Sequence, residues 1–298
     1  MVLRKALQRL LGTPAVPAVP VPVPDLAPGH APPVPDVAPP AGIEAQFHFE
    51  ATKDSGPLGR TTEAAASKFD SLQYRSEDFY DHFPCFTSAK NLSRFVSFYE
   101  CYKRTLGIAG HIAEVGVYRG AVSFFFTKLA LMYEPHGLTQ VHGFDWFKEP
   151  EGENAPKFPD PASYHEPYER ICSIVNVQGL QSHLLLHRVN VLTELQDFFQ
   201  RNDYLRFKIV FLDAGTYDIV ARCIEEFWPR LSQGGILILD PYNFEVAPGE
   251  TLAVRDLLPE DAVIHTFPQG WMPTAYVVKG EKLAAAEPGM HAGTHAGG

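Results

Sequence analysis

The chain has 298 residues, 45% hydrophobic and 20% charged, with a formal net charge of −10 and a pI near 5.6. That is material for one sizeable core, and Lys and Arg scattered without a basic stripe disfavour nucleic acid as a partner. No run reaches the ~18–20 apolar residues of a membrane span, and four cysteines far apart, with no CxxC spacing, read as buried reduced thiols of a cytoplasmic protein.

Residues 1–13 read as a short amphipathic segment, because Gln8 and Arg9 interrupt its apolar residues. Residues 14–67 read as a proline-rich disordered linker: 11 of the 26 prolines fall between positions 14 and 40, where they remove donors and leave extended polyproline II. The folded body is expected over 68–281, and the Gly-rich residues 282–298 as a disordered tail. Within the body, Ser88 is a candidate cap for a helix that ends on Gly107. The pattern then alternates: strand 111–117, helix 121–134, strand 139–147, helix 168–178, strand 183–191, helix 192–202, strand 207–214, helix 217–232, strand 234–243. A last helix over 250–258 precedes two short strands, 262–268 and 274–280. Strands alternating with helices of this length predict an α/β fold, a doubly wound and mostly parallel sheet closed by a C-terminal antiparallel hairpin.

Ligands of such sheets bind outside the carboxyl ends of the strands. The residues there are Glu114 to Gly120, Asp145, Asn190, Asp213 and Asp240. Gly116 and Gly120 bracket Val117, Tyr118 and Arg119 between a strand and a helix, where missing side chains let backbone approach a ligand. The spacing is not the G-x-G-x-x-G of nicotinamide enzymes. Asp145 ends the next strand inside an apolar frame, placed to accept hydrogen bonds from ribose hydroxyls; Trp146 and Phe147 beside it read as core or lid aromatics. His111, His142, His187 and His265 sit in or beside apolar strands and read as structural imidazoles.

The segments "GHIAEVGVYRGAVSFF", "GFDWF", "FLDAGTYD", "GGILILDPYN" and "PGETLAVRDLL", in that order, resemble the macrocin O-methyltransferase family of class I S-adenosylmethionine-dependent enzymes. The resemblance covers about residues 80–280 and implies a Rossmann-like fold and methylation of a hydroxyl on a sugar or glycosylated metabolite. It places Glu114, Gly116, Val117, Tyr118 and Gly120 at the methionine end of the cofactor, Asp145 at the ribose, and Asn190 at the adenine side, with Trp146 and Asp213 also beside the cofactor. Family members carry paired acids after the fourth and fifth strands that bind magnesium; this chain keeps one of each, Asp213 and Asp240. Mg²⁺ accepts one or two carboxylates plus waters, so these two are the candidate metal ligands.

Asp213 or Asp240 is also the expected catalytic acceptor of the hydroxyl proton. Tyr217, Tyr242 and Glu250 are candidates for orienting the acceptor, although Tyr217 reads equally as a helix start. Residues 147–167, long, polar and proline-interrupted, read as a lid over the acceptor. A homo-oligomer is left open. Two other readings compete: a methyltransferase for a small phenol or acid, and a non-catalytic module recruited through the proline-rich arm.

Overall fold

The computed structural model describes residues 75–148, 168–214, 216–244, 248–268 and 272–282. The expected segments 1–13 and 14–67, residues 149–167 of the lid and residues 283–298 of the tail lie outside them. A short helix α1 (Ser76–Tyr80) and one 3-10 turn (Phe83–Cys85) lead to helix α2 (Ala89–Arg104). Ser88 caps α2, its hydroxyl accepting the Asn91 N–H at 3.1 Å, which satisfies one of the four orphan donors at a helix start. The buried face of α2 carries Ser97, Phe98, Cys101 and Tyr102, spaced as one helical stripe.

Strands and helices then alternate: β1 (His111–Val115), α3 (Ala121–Tyr133), β2 (Val141–Asp145), α4 (Tyr168–Val177), β3 (Leu184–Arg188), α5 (Val191–Arg201), β4 (Phe207–Leu212), α6 (Tyr217–Phe227) and β5 (Leu231–Leu239). Helix α7 (Gly249–Leu257), β6 (Ala262–Thr266) and β7 (Ala275–Lys282) complete the order. The seven strands form one sheet in the order β3-β2-β1-β4-β5-β7-β6. The first five are parallel, with Ile112 opposite both Val141 and Ile209. The expected hairpin is β6–β7, and its second strand is the one that joins the parallel sheet, Leu239 opposite Ala275.

Period-two alternation feeds two cores, as a sheet covered on both faces requires. In β4, Val210 and Leu212 face one core with Phe199, Phe227 and Val254, while Ile209 and Phe211 face the other with Phe98, Phe126 and Ile171. Helices α2, α3 and α4 therefore cover one face and α5, α6 and α7 the opposite one. The β1–β4 junction lies at the centre, so the chain reverses its winding direction beside the Glu114–Gly120 turn.

Two expectations are corrected. Helix α6 stops at Phe227 rather than running to 232, because the Trp228–Arg230 turn is closed by Arg230 N–H to Phe227 C=O and Leu231 already pairs with Phe207. Strand β5 thus starts three residues early, with an irregular stretch at Gly234 (φ 76°). All four cysteines are free thiols, but only Cys101 and Cys223 are buried; Cys85 is exposed. No helix among the described residues is long and apolar enough to cross a membrane.

Candidate active site

The turn after β1 is built by backbone conformations that glycine tolerates best. Gly116 has φ 89° and Gly120 φ 83°, and a Cβ at Gly116 would collide with the Asp213 carbonyl. The Gly116 N–H donates to the Phe144 carbonyl at 2.9 Å and the Asp213 N–H to the Val115 carbonyl at 3.0 Å, so three strand ends are tied together here. Gly120 is the residue before α3, whose N-terminus carries no side-chain cap. Glu114 lies just upstream, 2% exposed, accepting a hydrogen bond from the Ser123 hydroxyl of α3. Burial pushes its carboxyl up to about 8; the Ser123 bond lowers it, and the Asp213 charge adds to the rise.

Asp145 organises the neighbouring strand end. Its Oδ2 accepts the Tyr118 N–H at 3.0 Å and its Oδ1 the Phe147 N–H at 2.8 Å. Tyr118 and Phe147 both hold positive φ, 50° and 53°, so one carboxylate fixes two strained backbones. Phe147 is buried against Tyr168, and Trp146 beside it is half-buried under the Lys148 ammonium. Asn190 sits at the end of β3 and caps α5: its side chain accepts the Leu192 N–H at 3.0 Å, while its own N–H donates to Glu194 at 2.7 Å. Val117 is buried in the core facing α3.

At the ends of β4 and β5 stand Asp213 and Asp240, joined by a residue that motif reading passed over. The Arg94 guanidinium, from α2, donates from Nη1 to Asp240 Oδ2 at 2.8 Å and from Nη2 to Asp213 Oδ2 at 3.2 Å. Its guanidinium carbon lies over the rings of Phe98 and Phe211, 5.4 and 5.6 Å from their centroids. A signal existed: Arg94 precedes Ser97, Phe98, Cys101 and Tyr102 on the buried stripe of α2, a charge where an apolar residue is expected. The Asp240 side chain is 1% exposed, whereas that of Asp213 is 44% exposed. Crowding by protein atoms raises the Asp213 carboxyl above the ordinary aspartate value; Arg94 opposes that rise and Asp145 adds to it.

Glu250, a candidate for touching the acceptor, is fully buried at the start of α7. Its carboxyl is held far above the ordinary range by burial first and then by the charges of Asp240 and Asp213, only partly offset by the Asp240 backbone. It underlies the aspartate pair rather than lining the cleft. Tyr217 is the first residue of α6, and its hydroxyl donates to Asp256 at 3.2 Å. Tyr242 packs half-buried against the core, with its N–H donating to the Thr274 hydroxyl at 2.5 Å.

The aspartate pair does not fit a divalent cation. Both Oδ2 atoms already accept from a guanidinium, the third carboxyl nearby, that of Glu250, is fully buried, and the described residues contain no group of three or more His, Cys, Asp or Glu arranged for a metal. Mg²⁺ requires near-octahedral oxygen ligation, usually with several waters, and Asp240 has almost no access to water.

The seven strands form a Rossmann-like sheet, mostly parallel with an antiparallel C-terminal hairpin, and an acid stands at the end of β1, β2, β4 and β5. Residues 113–242 match a family model described as a methyltransferase domain. Among solved structures, CalS11, a calicheamicin methyltransferase, superposes with a TM-score of 0.65 at 20% identity, over 76% of this chain and 95% of that one. Its apo form, described as a TDP-rhamnose 3'-O-methyltransferase of calicheamicin biosynthesis, gives 0.63 at 22% identity over 76% and 97%. The O-methyltransferase NovP gives 0.52 at 15% identity over 63% and 79%. At these identities the likeness establishes the fold. No curated protein sequence matches this chain.

Proposed function

We propose that this protein is an S-adenosylmethionine-dependent O-methyltransferase whose acceptor is a hydroxyl of a sugar or a glycosylated metabolite. The observation that carries the reading is the turn between β1 and α3: two glycines at positive φ open the backbone, and the carboxylates of Glu114 and Asp145 flank it. Glu114, Asp145, Asp213 and Asp240 stand at the ends of adjacent strands with Arg94 as counter-charge, an environment that favours a cationic ligand. S-adenosylmethionine fits such a site and, when bound, supplies a methyl group activated by a sulfonium.

The roles of the residues follow from their surroundings. Asp145, ordered by two backbone donors, keeps lone pairs for a ribose diol. Asp213 opens to the cleft with a raised pKa, which makes it a better proton acceptor at neutral pH than an ordinary aspartate. Positioning of acceptor against methyl is worth roughly 7 kcal/mol or more, and the fixed strand ends provide it. The saccharide acceptor is supported by the macrocin O-methyltransferase-like motifs and by the sugar named for CalS11.

The test is calorimetric titration of the full chain with S-adenosylmethionine, followed by mass spectrometry of a panel of nucleotide sugars, glycosides and phenols. Micromolar binding and a methylated sugar are expected. Methylation of phenols alone would replace the acceptor class, and absence of binding would remove the enzyme reading.

A further inference from the structure

We infer that the Arg94 guanidinium occupies the place of a divalent cation between Asp213 and Asp240, so that this site works without a metal; the inference rests on the methyltransferase reading above. The cation is covalently part of the protein, delivered by α2 across the end of the sheet. Its planar fork matches two carboxylates at once, at 2.8 and 3.2 Å. The guanidinium also lies over the rings of Phe98 and Phe211, each fully buried, a second set of contacts that favours this position.

Charge accounting points the same way. Arginine is charged at every ordinary pH, and Arg94 donates to both Asp240 and Asp213. A divalent ion bound to the same aspartates would meet that positive charge in direct contact. Its remaining ligand would be the second oxygen of the half-exposed Asp213, since Asp240 is 1% exposed and Glu250 is fully buried. One carboxylate oxygen is a poor Mg²⁺ site.

Arg94 is therefore a positioning residue. It holds Asp213 by Oδ2, on a side chain that stays 44% exposed and so open to an acceptor hydroxyl that would give up its proton.

The experiment uses Mn²⁺, an oxygen-seeking stand-in for Mg²⁺, titrated into the full chain and followed by its electron paramagnetic resonance signal. The wild type is expected to bind Mn²⁺ no better than millimolar. Arg94→Ala, which leaves the aspartates facing each other without a counter-ion, is expected to bind it at least about tenfold tighter, and Arg94→Lys is expected to behave like the wild type. Micromolar Mn²⁺ binding by the wild type that Asp213→Asn abolishes would overturn the inference, and this arm decides it even if Arg94→Ala fails to fold. In parallel, the Kd for S-adenosylmethionine should agree within about twofold between EDTA and millimolar Mg²⁺, since the ion has no complete ligand set; a larger dependence would also overturn it. Failure to bind S-adenosylmethionine in both buffers would sink the methyltransferase reading and leave the Mn²⁺ result standing by itself.

Discussion

Replacing Glu114 with Gln should stabilise the ligand-free protein, by an amount that depends on pH. The carboxyl is 2% exposed and pushed up to about 8, mainly by burial, against an ordinary glutamate value of 4.5. Because the folded pKa is raised, the folded state holds its proton between pH 4.5 and 8 while the unfolded chain releases it. The contribution of Glu114 is complete below 4.5, is lost as pH rises through that interval, and levels off above 8. The loss runs at about 1.4 kcal/mol per pH unit and reaches about 3 kcal/mol at pH 7 and about 5 kcal/mol above pH 8.

Gln has the same shape, accepts the Ser123 hydroxyl and does not titrate. Urea unfolding of both proteins at pH 5, 6, 7 and 8 should thus give a stability difference that widens with pH in favour of Glu114→Gln. Every other titrating group is common to both proteins and cancels. The same variant should bind S-adenosylmethionine more weakly, because it cannot supply negative charge to a cationic ligand. A difference that stays flat over that range would refute the idea that Glu114 is held protonated by its surroundings.

Asp145→Ala should weaken S-adenosylmethionine binding by about 10- to 100-fold in calorimetry, the scale of lost hydrogen bonds to a charged group. Asp213→Asn should instead leave that Kd within about threefold and lower kcat by about 10²-fold or more; equal losses in both variants would contradict the assigned roles. Gly116→Ala should cost about 2–3 kcal/mol in urea unfolding, from the left-handed φ plus the collision with the Asp213 carbonyl, against about 1 kcal/mol for Gly120→Ala, where a Cβ meets side chains alone, the Phe124 ring at 3.2 Å and Ile171 at 3.4 Å. His142 and His187, hydrogen-bonded at 3.0 Å, are held down by burial to about 3 and about 4. Below their ordinary value of 6.5 the unfolded chain takes up protons that the folded state refuses, so stability should fall with acid, by up to about 1.4 kcal/mol per pH unit for each histidine. His187→Gln should flatten that decline in a denaturant series from pH 7 to 4.5.

The sheet and its ligand edge are legible in the sequence because short-range rules govern them. Alternation of apolar runs places Glu114, Asp145, Asp213 and Asp240 at strand ends, and glycine spacing marks the turn. What pairs across long sequence separations is not legible. Arg94 reaches its partners over separations of 119 and 146 residues, and only its place on the buried stripe of α2 hinted at a special role. Lys208 is another case: a charge inside the "FKIVFL" strand, fully buried, whose ammonium meets Glu134 at 2.5 Å beside the Tyr102 hydroxyl. The early start of β5 was hidden for a different reason. Arg230 and Leu231 continue the apolar and polar rhythm of α6, and only the pairing of Leu231 with Phe207 decides where the strand begins.

The helix that supplies Arg94 ends at residue 104, before the stretch 113–242 that carries the family likeness. The matched stretch and the charge-balanced cluster are therefore not the same length of chain. Excised at 113, that stretch would lose the cover over Phe211 and Ile209 and would present two adjacent aspartates with nothing between them. A fusion or chimaera that exchanged this stretch alone would transplant the two-glycine turn after β1 but leave behind the charge that balances the acids. The matched stretch and the helix that neutralises its acids are joined by a single loop, residues 105–110.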